Sequence, residues 1–475
     1  CVMSSHDRST RLRPWAIGRG ATAEESRVCL TTSRRGTAET EVRCRPRRGN
    51  SLLAERLPRG LVKRRDVLRS ALALAAAACE ALPKATPSEE PPSTARPQLI
   101  VPTPLPSVAP TPLPTARART APPLVGVTAY DWFAQKAWRD QRAPWGTVDP
   151  LAVLGANGVE WLRAGVTTLS YPELENLPSP PPFSFSDGHW CSMEYTLHVL
   201  EAGARVGMAL SLFFFLSDRA AGGSDQSTPR GWEGYSLDET ADALEQHTKK
   251  VAAYYQSRGL TISRYEIGNE IDFGVAGFSI SDRIPSTGID VVHDVAWVRD
   301  NVWRKEAVLL KAAIRGVKAV NPTARILLHL AGIEWPWLER AFISTMVQLS
   351  VPFDEVGFSY APWLDFHQDI PHPADYFEQS MKAAQDLGKQ INITEISFPS
   401  SEPAGLPVVP VHGYPFTPVG QAEWVRDFLR RVATNRAITT VFYFYPDNFL
   451  VSGIGPAALF ERDGTPKPAL LELGR

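Results

Sequence analysis

Two stretches carry residues that could do chemistry together. The first, Arg264-Tyr-Glu-Ile-Gly-Asn-Glu270, reads as a buried strand over 262–267 that breaks at Gly268 and presents Asn269 and Glu270 beyond its end. The second, Ile393-Thr-Glu395, closes another apolar run with a carboxylate. In parallel α/β sheets and barrels the C-terminal ends of strands carry the reacting side chains. An Asn-Glu pair alone is more often a turn; the second carboxylate gives it chemical meaning. Hydrolysis of a glycosidic bond needs one carboxyl that keeps a proton for the leaving oxygen and one that stays ionised.

A repeating scaffold is needed to bring two strand ends together. Strand-like runs at 124–129, 159–164, 206–215, 262–267, 325–330, 355–360, 390–394 and 439–445 alternate with amphipathic helical patterns. The helices are expected near 148–156, 192–204, 237–258, 297–320, 336–349, 373–388 and 419–434, with a weak one after Pro466. Gly155, Gly203, Gly259 and Gly388 follow these runs and Asn321-Pro322 stops another, as helix ends require. Eight β-then-α units predict an α/β fold, a single (β/α)8 TIM barrel over 123–475. A doubly wound sheet would show a glycine-rich loop after its first strand, and Thr128-Ala-Tyr-Asp-Trp132 is unlike one.

The rest of the chain speaks to compartment. Hydrophobic residues are 44% and charged residues 21% of 475, ordinary for a globular protein, and the formal net charge of −1 argues against an electrostatically driven nucleic-acid binder. Of Cys1, Cys29, Cys44, Cys79 and Cys191 only the last falls in the barrel region, which leaves no disulfide and no metal-type cysteine pair there. No cofactor and no metal are expected.

Residues 1–61 scatter Arg, Gly, Ser and Thr without pattern. They read as disordered or, because an export signal follows them where it should stand first, as an upstream extension outside the natural protein. The signal spans 62–79: a basic Lys63-Arg64-Arg65-Asp66-Val67-Leu68-Arg69, then an alanine-rich run over 71–78 that is too short to cross a bilayer, then Cys79. It resembles a twin-arginine signal ending in a bacterial lipobox, with Ala76 where leucine is usual. Residues 80–122 are dominated by proline, as in Pro102-Thr-Pro-Leu-Pro-Ser107, and read as an extended stalk. Together they predict a protein outside the cytoplasm, tethered by lipidated Cys79 or secreted after plain cleavage; a monomer is expected.

Further motifs lie on successive strand ends: Asn157-Gly-Val-Glu-Trp-Leu-Arg163, Ser217-Asp218 followed by Gln226, Pro229 and Trp232, His329-Leu-Ala-Gly332, Gly357-Phe-Ser-Tyr-Ala-Pro-Trp363 and Leu459-Phe-Glu-Arg-Asp-Gly464. With Gly268-Asn-Glu270 and Thr394-Glu395, in this order, the chain from Gly155 to Gly464 resembles glycoside hydrolase family 53, the arabinogalactan endo-β-1,4-galactanases of clan A. The resemblance implies that Glu270 is the general acid/base and Glu395 the nucleophile of a retaining mechanism. It implies that Asn269 meets the sugar 2-hydroxyl and that Arg163 and Tyr360 hold the nucleophile ionised. A guanidinium and a phenol beside one carboxylate would favour its charged form, while the other carboxyl, less compensated and next to an anion, would keep its proton. His329 is expected among the substrate-side residues as a hydrogen-bonding group. Trp132, Trp363, Phe398 and Tyr445 are candidates for stacking on pyranose rings.

Three neighbourhoods depart from the family pattern: Phe215 takes a histidine position, Phe444-Tyr445-Pro446 replaces Trp-Glu-Pro, and Gly126-Val-Thr128 replaces Gly-Ala-Asp. The loop 399–418 lacks clustered carboxylates and gives no ground for the calcium site of some bacterial relatives. A retaining β-glycosidase acting on a plant-type polysaccharide is therefore the firmer expectation, and β-1,4-galactan the narrower one. The alternatives are another clan A activity, such as mannanase, xylanase, β-glucanase or exo-glycosidase, and a non-catalytic glycan-binding surface lipoprotein. The leader makes a prediction of its own. Cys79→Ala should move the protein from the membrane fraction to the soluble one; wild-type protein found in the cytoplasm would contradict it.

Overall fold

The computed structural model describes residues 29–31, 42–44, 124–129, 149–177, 189–223, 225–331, 335–364, 373–447, 455–461 and 464–474. Cys79, Trp132, the export segment and the proline-rich stalk lie outside the described residues. In the N-terminal unit, which ends at Val62, two strands over 29–31 and 42–44 pair antiparallel.

In the second unit, eight runs rich in β-branched and aromatic residues form strands β1 (Leu124–Thr128), β2 (Trp161–Val166), β3 (Ala209–Phe214), β4 (Ile262–Ile267), β5 (Arg325–Leu330), β6 (Glu355–Tyr360), β7 (Gln390–Ile396) and β8 (Ile438–Phe444). All eight neighbouring pairs are parallel and the sheet closes on itself in sequence order, a (β/α)8 barrel. The helices that return the chain are α1 (Pro150–Ala156), α2 (Met193–Arg205), α3 (Leu237–Ser257), α4 (Arg304–Val320), α5 (Pro336–Gln348), α6 (Pro373–Asp386), α7 (Pro418–Val432) and α8 (Pro468–Leu471). Their starts follow local chemistry. Asp149 and Thr417 accept backbone N–H groups just before Pro150 and Pro418, and Ser236 and Glu239 form a reciprocal capping box.

The positions of β1, β4, β5 and β6 agree with the sequence expectation to within a residue, and two other segments differ for visible reasons. Strand β3 begins at Ala209 rather than Val206, because Gly207, at φ +82°, first turns the chain out of α2. The helix expected over 297–320 is in three pieces: a turn at Val295–Val298, a π segment at Arg299–Trp303, then α4. The π segment carries Trp303 into the core, where its Nε1–H donates to the Asp272 carbonyl at 2.8 Å. That contact ties the outer helix layer to the loop after β4.

The apolar core lies between the barrel wall and the helices. Leu244, Val251, Ala252 and Tyr255 line the buried side of α3. Helix α4 approaches α3 so closely that a Cβ on Gly316 would stand 2.3 Å from the Glu245 carbonyl oxygen. The lumen of the barrel is different. Its N-terminal half holds an ionic layer in which Arg264 Nε lies 2.8 Å from Glu355 Oε2, Arg325 Nη2 lies 2.5 Å from Glu355 Oε1, and the Arg264 guanidinium sits 4.5 Å from the Trp161 ring centroid. Two glycines let neighbouring side chains pack closely on the wall: a Cβ at Gly126 would meet the Phe442 ring at 2.5 Å, and one at Gly357 would meet Thr394 at 2.6 Å.

Glu355 is fully buried and compensates a buried arginine as well as the half-exposed Arg325. Glu355→Ala would leave Arg264 as an uncompensated charge, and urea unfolding should register a loss of about 3–5 kcal/mol. A loss below about 1 kcal/mol would show that water reaches this layer.

Candidate active site

The turn after β4 places the first carboxyl. Gly268 has φ +90°, where a Cβ would also collide with Ile271 at 2.3 Å, and Glu270 itself sits at φ +50°, a left-handed conformation that costs a non-glycine residue free energy. The turn is held from both sides. Gln226 Nε2 donates to the carbonyls of Asn269 (2.8 Å) and Glu270 (3.1 Å), and Ile271 N–H donates to the His329 carbonyl at 2.9 Å. Gln226, noted in the sequence only as part of a motif, is thus the side chain that clamps the strained turn.

The second carboxyl sits on an irregularity. Between β6 and β7 the register runs from Phe358 opposite Ile393 to Ser359 opposite Glu395, so Thr394 is an extra residue on β7. Such a bulge bends the strand and re-aims the side chain that follows it. Here that side chain is Glu395, with only 11% of its surface accessible.

Arg163, from β2, joins the two. It is completely buried, and its five N–H groups all have acceptors: Nε to Glu266 Oε2 (2.8 Å), Nη2 to Glu266 Oε1 (2.5 Å) and Asn269 Oδ1 (3.1 Å), Nη1 to Glu395 Oε1 (2.9 Å) and Thr128 Oγ1 (3.3 Å). Its guanidinium also lies 3.9 Å from the Phe213 ring centroid. His329 Nδ1 is 2.9 Å from Glu266 Oε1, and His329 Nε2 is 2.9 Å from Ser359 Oγ, which donates to Glu270 Oε1 at 2.8 Å.

The electrostatics separate three carboxyls. Burial opposes ionisation of Glu266, but Arg163 and His329 overcome it and hold its pKa down at about 2. Burial pushes Glu270 up to about 7, and the charge of Glu395 adds to the rise. Burial also lifts Glu395 to about 7, against the pull of Arg163. Two such neighbours share one proton near neutral pH. Geometry assigns it: Glu395 receives a guanidinium N–H, whereas Glu270 receives only a neutral hydroxyl. Negative charge therefore rests on Glu395 and the proton on Glu270.

The site residues expected from sequence divide into two groups. Glu270, Glu395, Asn269 and Arg163 converge at the C-terminal end of the barrel. Asn269 Oδ1 faces Arg163 and its Nδ2 donates to the Ala221 carbonyl at 3.1 Å. His329 stands directly beneath them, fully buried, and so is not a substrate-side group. Tyr360 is elsewhere. Strand alternation turns Ser359 into the lumen and Tyr360 outward, where its ring stacks on Phe377 at 4.3 Å and Phe428 at 5.4 Å, under α6 and α7. The aromatic platforms are corrected in the same way. Trp363 is fully buried with Nε1–H donating to the Ser397 carbonyl, Phe398 is fully buried against Trp424, and Tyr445 is 8% exposed beside Phe444. The sequence reading missed Glu266 and Ser359. Glu266 had a signal, a charge two residues from Arg264 on one face of an otherwise buried strand. Among the described residues no His, Cys, Asp or Glu cluster is arranged to hold a metal ion.

Known proteins resemble the chain in sequence and in fold. The model of the family described as Glycosyl hydrolase family 53 matches residues 131–471. A Niallia circulans protein known only as an uncharacterized protein in the bgaB 5' region is 28% identical over 257 residues; the match takes in 52% of this chain and 65% of that protein, just under two thirds. A probable arabinogalactan endo-beta-1,4-galactanase A of Neosartorya fischeri is 26% identical over 63% of this chain and 77% of its own. The arabinogalactan endo-beta-1,4-galactanase A of Aspergillus niger is 26% identical over 55% and 71%. Among solved structures, the Ignisphaera aggregans GH53 catalytic domain superposes with TM-score 0.56 at 22% identity, over 74% of this chain and 95% of that one. A fungal beta-1,4-galactanase structure gives 0.57 at 21%, over 74% and 98%, and both show the shared fold.

The raised carboxyls have a consequence for stability. A carboxyl whose pKa is higher in the fold than in the unfolded chain favours folding below its unfolded value, and that contribution is lost as pH rises through the folded value. For Glu270 the window runs from the ordinary value of 4.5 to about 7. Glu270→Gln should therefore raise Tm at pH 8, by the equivalent of about 1–2 kcal/mol for a half-buried group, and leave it unchanged at pH 4. Calorimetry at the two pH values decides it; equal shifts at both would remove ionisation as the cause.

Proposed function

The chain belongs to glycosyl hydrolase family 53, and on that premise we propose that it is a retaining β-glycosidase that cleaves plant-type polysaccharide by double displacement. Within that class we propose endo-action on β-1,4-galactan or arabinogalactan, on the printed activities of its relatives. The observation that carries the reading is the unequal treatment of the two strand-end glutamates: Arg163 Nη1–H reaches Glu395, and Glu270 takes its hydrogen bond from Ser359.

In the first step a Glu395 carboxylate oxygen attacks the anomeric carbon, the bond to the leaving oxygen breaks with its electron pair, and Glu270 delivers its proton to that oxygen. In the second, Glu270, now a carboxylate, takes a proton from water as the water oxygen displaces Glu395. The acid and base roles alternate on one residue, and a pKa near 7 suits a group that must both give and take a proton near neutral pH. Asn269, held to Arg163 through Oδ1, is assigned the sugar hydroxyl next to the anomeric centre in this reading. We also propose that the enzyme works outside the cytoplasm, held by lipidated Cys79 on the proline-rich stalk.

The test is chemical rescue on an aryl β-glycoside with a good leaving group. Glu395→Ala should lose all detectable turnover on polysaccharide and yield an α-glycosyl azide when azide is added. Glu270→Ala should lose about 10²–10⁴-fold on polysaccharide, retain glycosylation by the activated substrate, and give a β-glycosyl azide. A β-azide from the Glu395 variant, or inverted product from the wild type, would reverse or sink the assignment. Reducing-sugar release from galactan, mannan, xylan and β-glucan fixes the polymer, and release from none would favour glycan binding without catalysis.

A further inference from the structure

One hydrogen-bonded line in this site has no part in the two-glutamate scheme. It runs from Glu266 on β4, through His329 on β5 and Ser359 on β6, to Glu270. Counting hydrogens fixes its direction. Arg163 Nη2 has two hydrogens, and they go to Glu266 Oε1 and Asn269 Oδ1. Nothing is left on Nη2 for His329 Nδ1, 3.2 Å away, so Nδ1 carries its own hydrogen and donates it to Glu266 Oε1. The single Ser359 hydrogen goes to Glu270 Oε1. The 2.9 Å contact between Ser359 Oγ and His329 Nε2 then requires a hydrogen on Nε2 as well. The His329 Nδ1 hydrogen therefore points back to the buried Glu266 carboxylate, while the His329 Nε2 and Ser359 hydrogens both point toward Glu270.

We infer that His329 and Ser359 are positioning residues for the acid/base: they carry a donated hydrogen bond from the Glu266 side of the lumen to Glu270 Oε1. This rests on Glu270 being the acid/base. The line leaves Oε2 as the oxygen that bears the exchangeable proton. When Oε2 gives that proton to the leaving oxygen, the electron pair of the broken O–H bond stays on the carboxylate. The Ser359 hydroxyl, polarised by His329, already points at the charge that forms. When Glu270 later takes a proton from water, the same bond weakens again, and no atom or proton is gained or lost by the line itself.

The charged groups that face Glu270 are Glu395 from β7 and Asp272 from its own turn, which both raise its pKa, and His329 from β5, which lowers it. Arg163 and Glu266 face His329 from β2 and β4. Removing the Ser359 hydroxyl deletes a donor to the anion and changes none of these charges, so Glu270 should become a weaker acid.

The experiment is Ser359→Ala in the full chain, with pH profiles of kcat/KM on polysaccharide and on a series of aryl glycosides of graded leaving-group pKa. The basic limb should move up by about one pH unit. Polysaccharide turnover should fall about tenfold, while the most activated glycoside changes less than about twofold. Ser359→Thr, which keeps the hydroxyl, should restore the wild-type limb. An Ala variant with wild-type Tm but an unmoved limb and unchanged leaving-group dependence overturns the inference, as does a Thr variant that behaves like Ala. Azide rescue of Glu270→Ala on the same substrates separates the two levels. Rescue with an unmoved Ser359→Ala limb refutes the line alone, and failure of rescue refutes the acid/base assignment beneath it.

Discussion

The guanidinium of Arg163 is the constraint on which the rest of this site depends. It is planar, always charged, and completely buried, and a cation in that position is tolerable only if its hydrogen bonds are made and its charge is matched. Five donors reach four residues on three strands or their ends: Thr128 on β1, Glu266 on β4, Asn269 after β4 and Glu395 on β7. Because those donors lie in one plane at fixed angles, the acceptors are held in fixed relation too. A lysine could supply the charge but not the fork, so the position is one where Arg and Lys are not interchangeable. Glu266 is then best understood as the counter-ion that keeps Arg163 in place, taking two of its donors, so that Nη1 remains for Glu395.

The barrel architecture makes this possible because its cohesion comes from elsewhere. The apolar core fills the space between strands and helices, where Trp303, Phe342, Tyr255 and Leu244 are buried, and the lumen is released to hold charge. The ionic layer of Arg264, Arg325 and Glu355 closes the lumen from below. Above it, the strained turn at Glu270 and the bulge at Thr394 are deviations from regular strand geometry at the two residues proposed to react. Each is held by neighbours, the turn by Gln226 and the His329 carbonyl, which fits the general pattern that strain persists only where the surroundings over-determine it.

Much of this was legible in the chain. Eight apolar strand-like runs separated by amphipathic helices give the barrel, and strand ends give Glu270, Asn269 and Glu395, because those signals are local; Arg163 came from the family resemblance. What was not legible depends on facing. Tyr360 and Ser359 are neighbours in sequence, and a one-residue difference sends one to the aromatic layer under α6 and α7 and the other to the lumen. Trp363 and Phe398 follow strand ends and so resembled sugar platforms, yet both turn back into the packing around Trp424 and Ser397. An aromatic side chain carries no mark of which side it will bury, whereas a charged residue inside an apolar strand does. Glu266 was therefore readable in principle, from its two-residue spacing to Arg264.

Charge balance in the upper lumen explains why one carboxyl must stay protonated. Glu266 and Glu395 bring two carboxylates to the site and Asp272 lies near, against the one permanent cation, Arg163. A further carboxylate at Glu270 would add an unmatched charge where the effective dielectric is low and each unit charge interacts strongly with its neighbours. Glu270 responds by holding its proton to a higher pH than an ordinary glutamate. Burial is the first cause of that rise and the charge of Glu395 the second. In the proposed reaction Glu395 spends its charge in bonding to the anomeric carbon as Glu270 gives its proton to the leaving oxygen. The two events would offset each other: as one anion is consumed another is made, so the charge held in the upper lumen is the same at the end of the step as at its start.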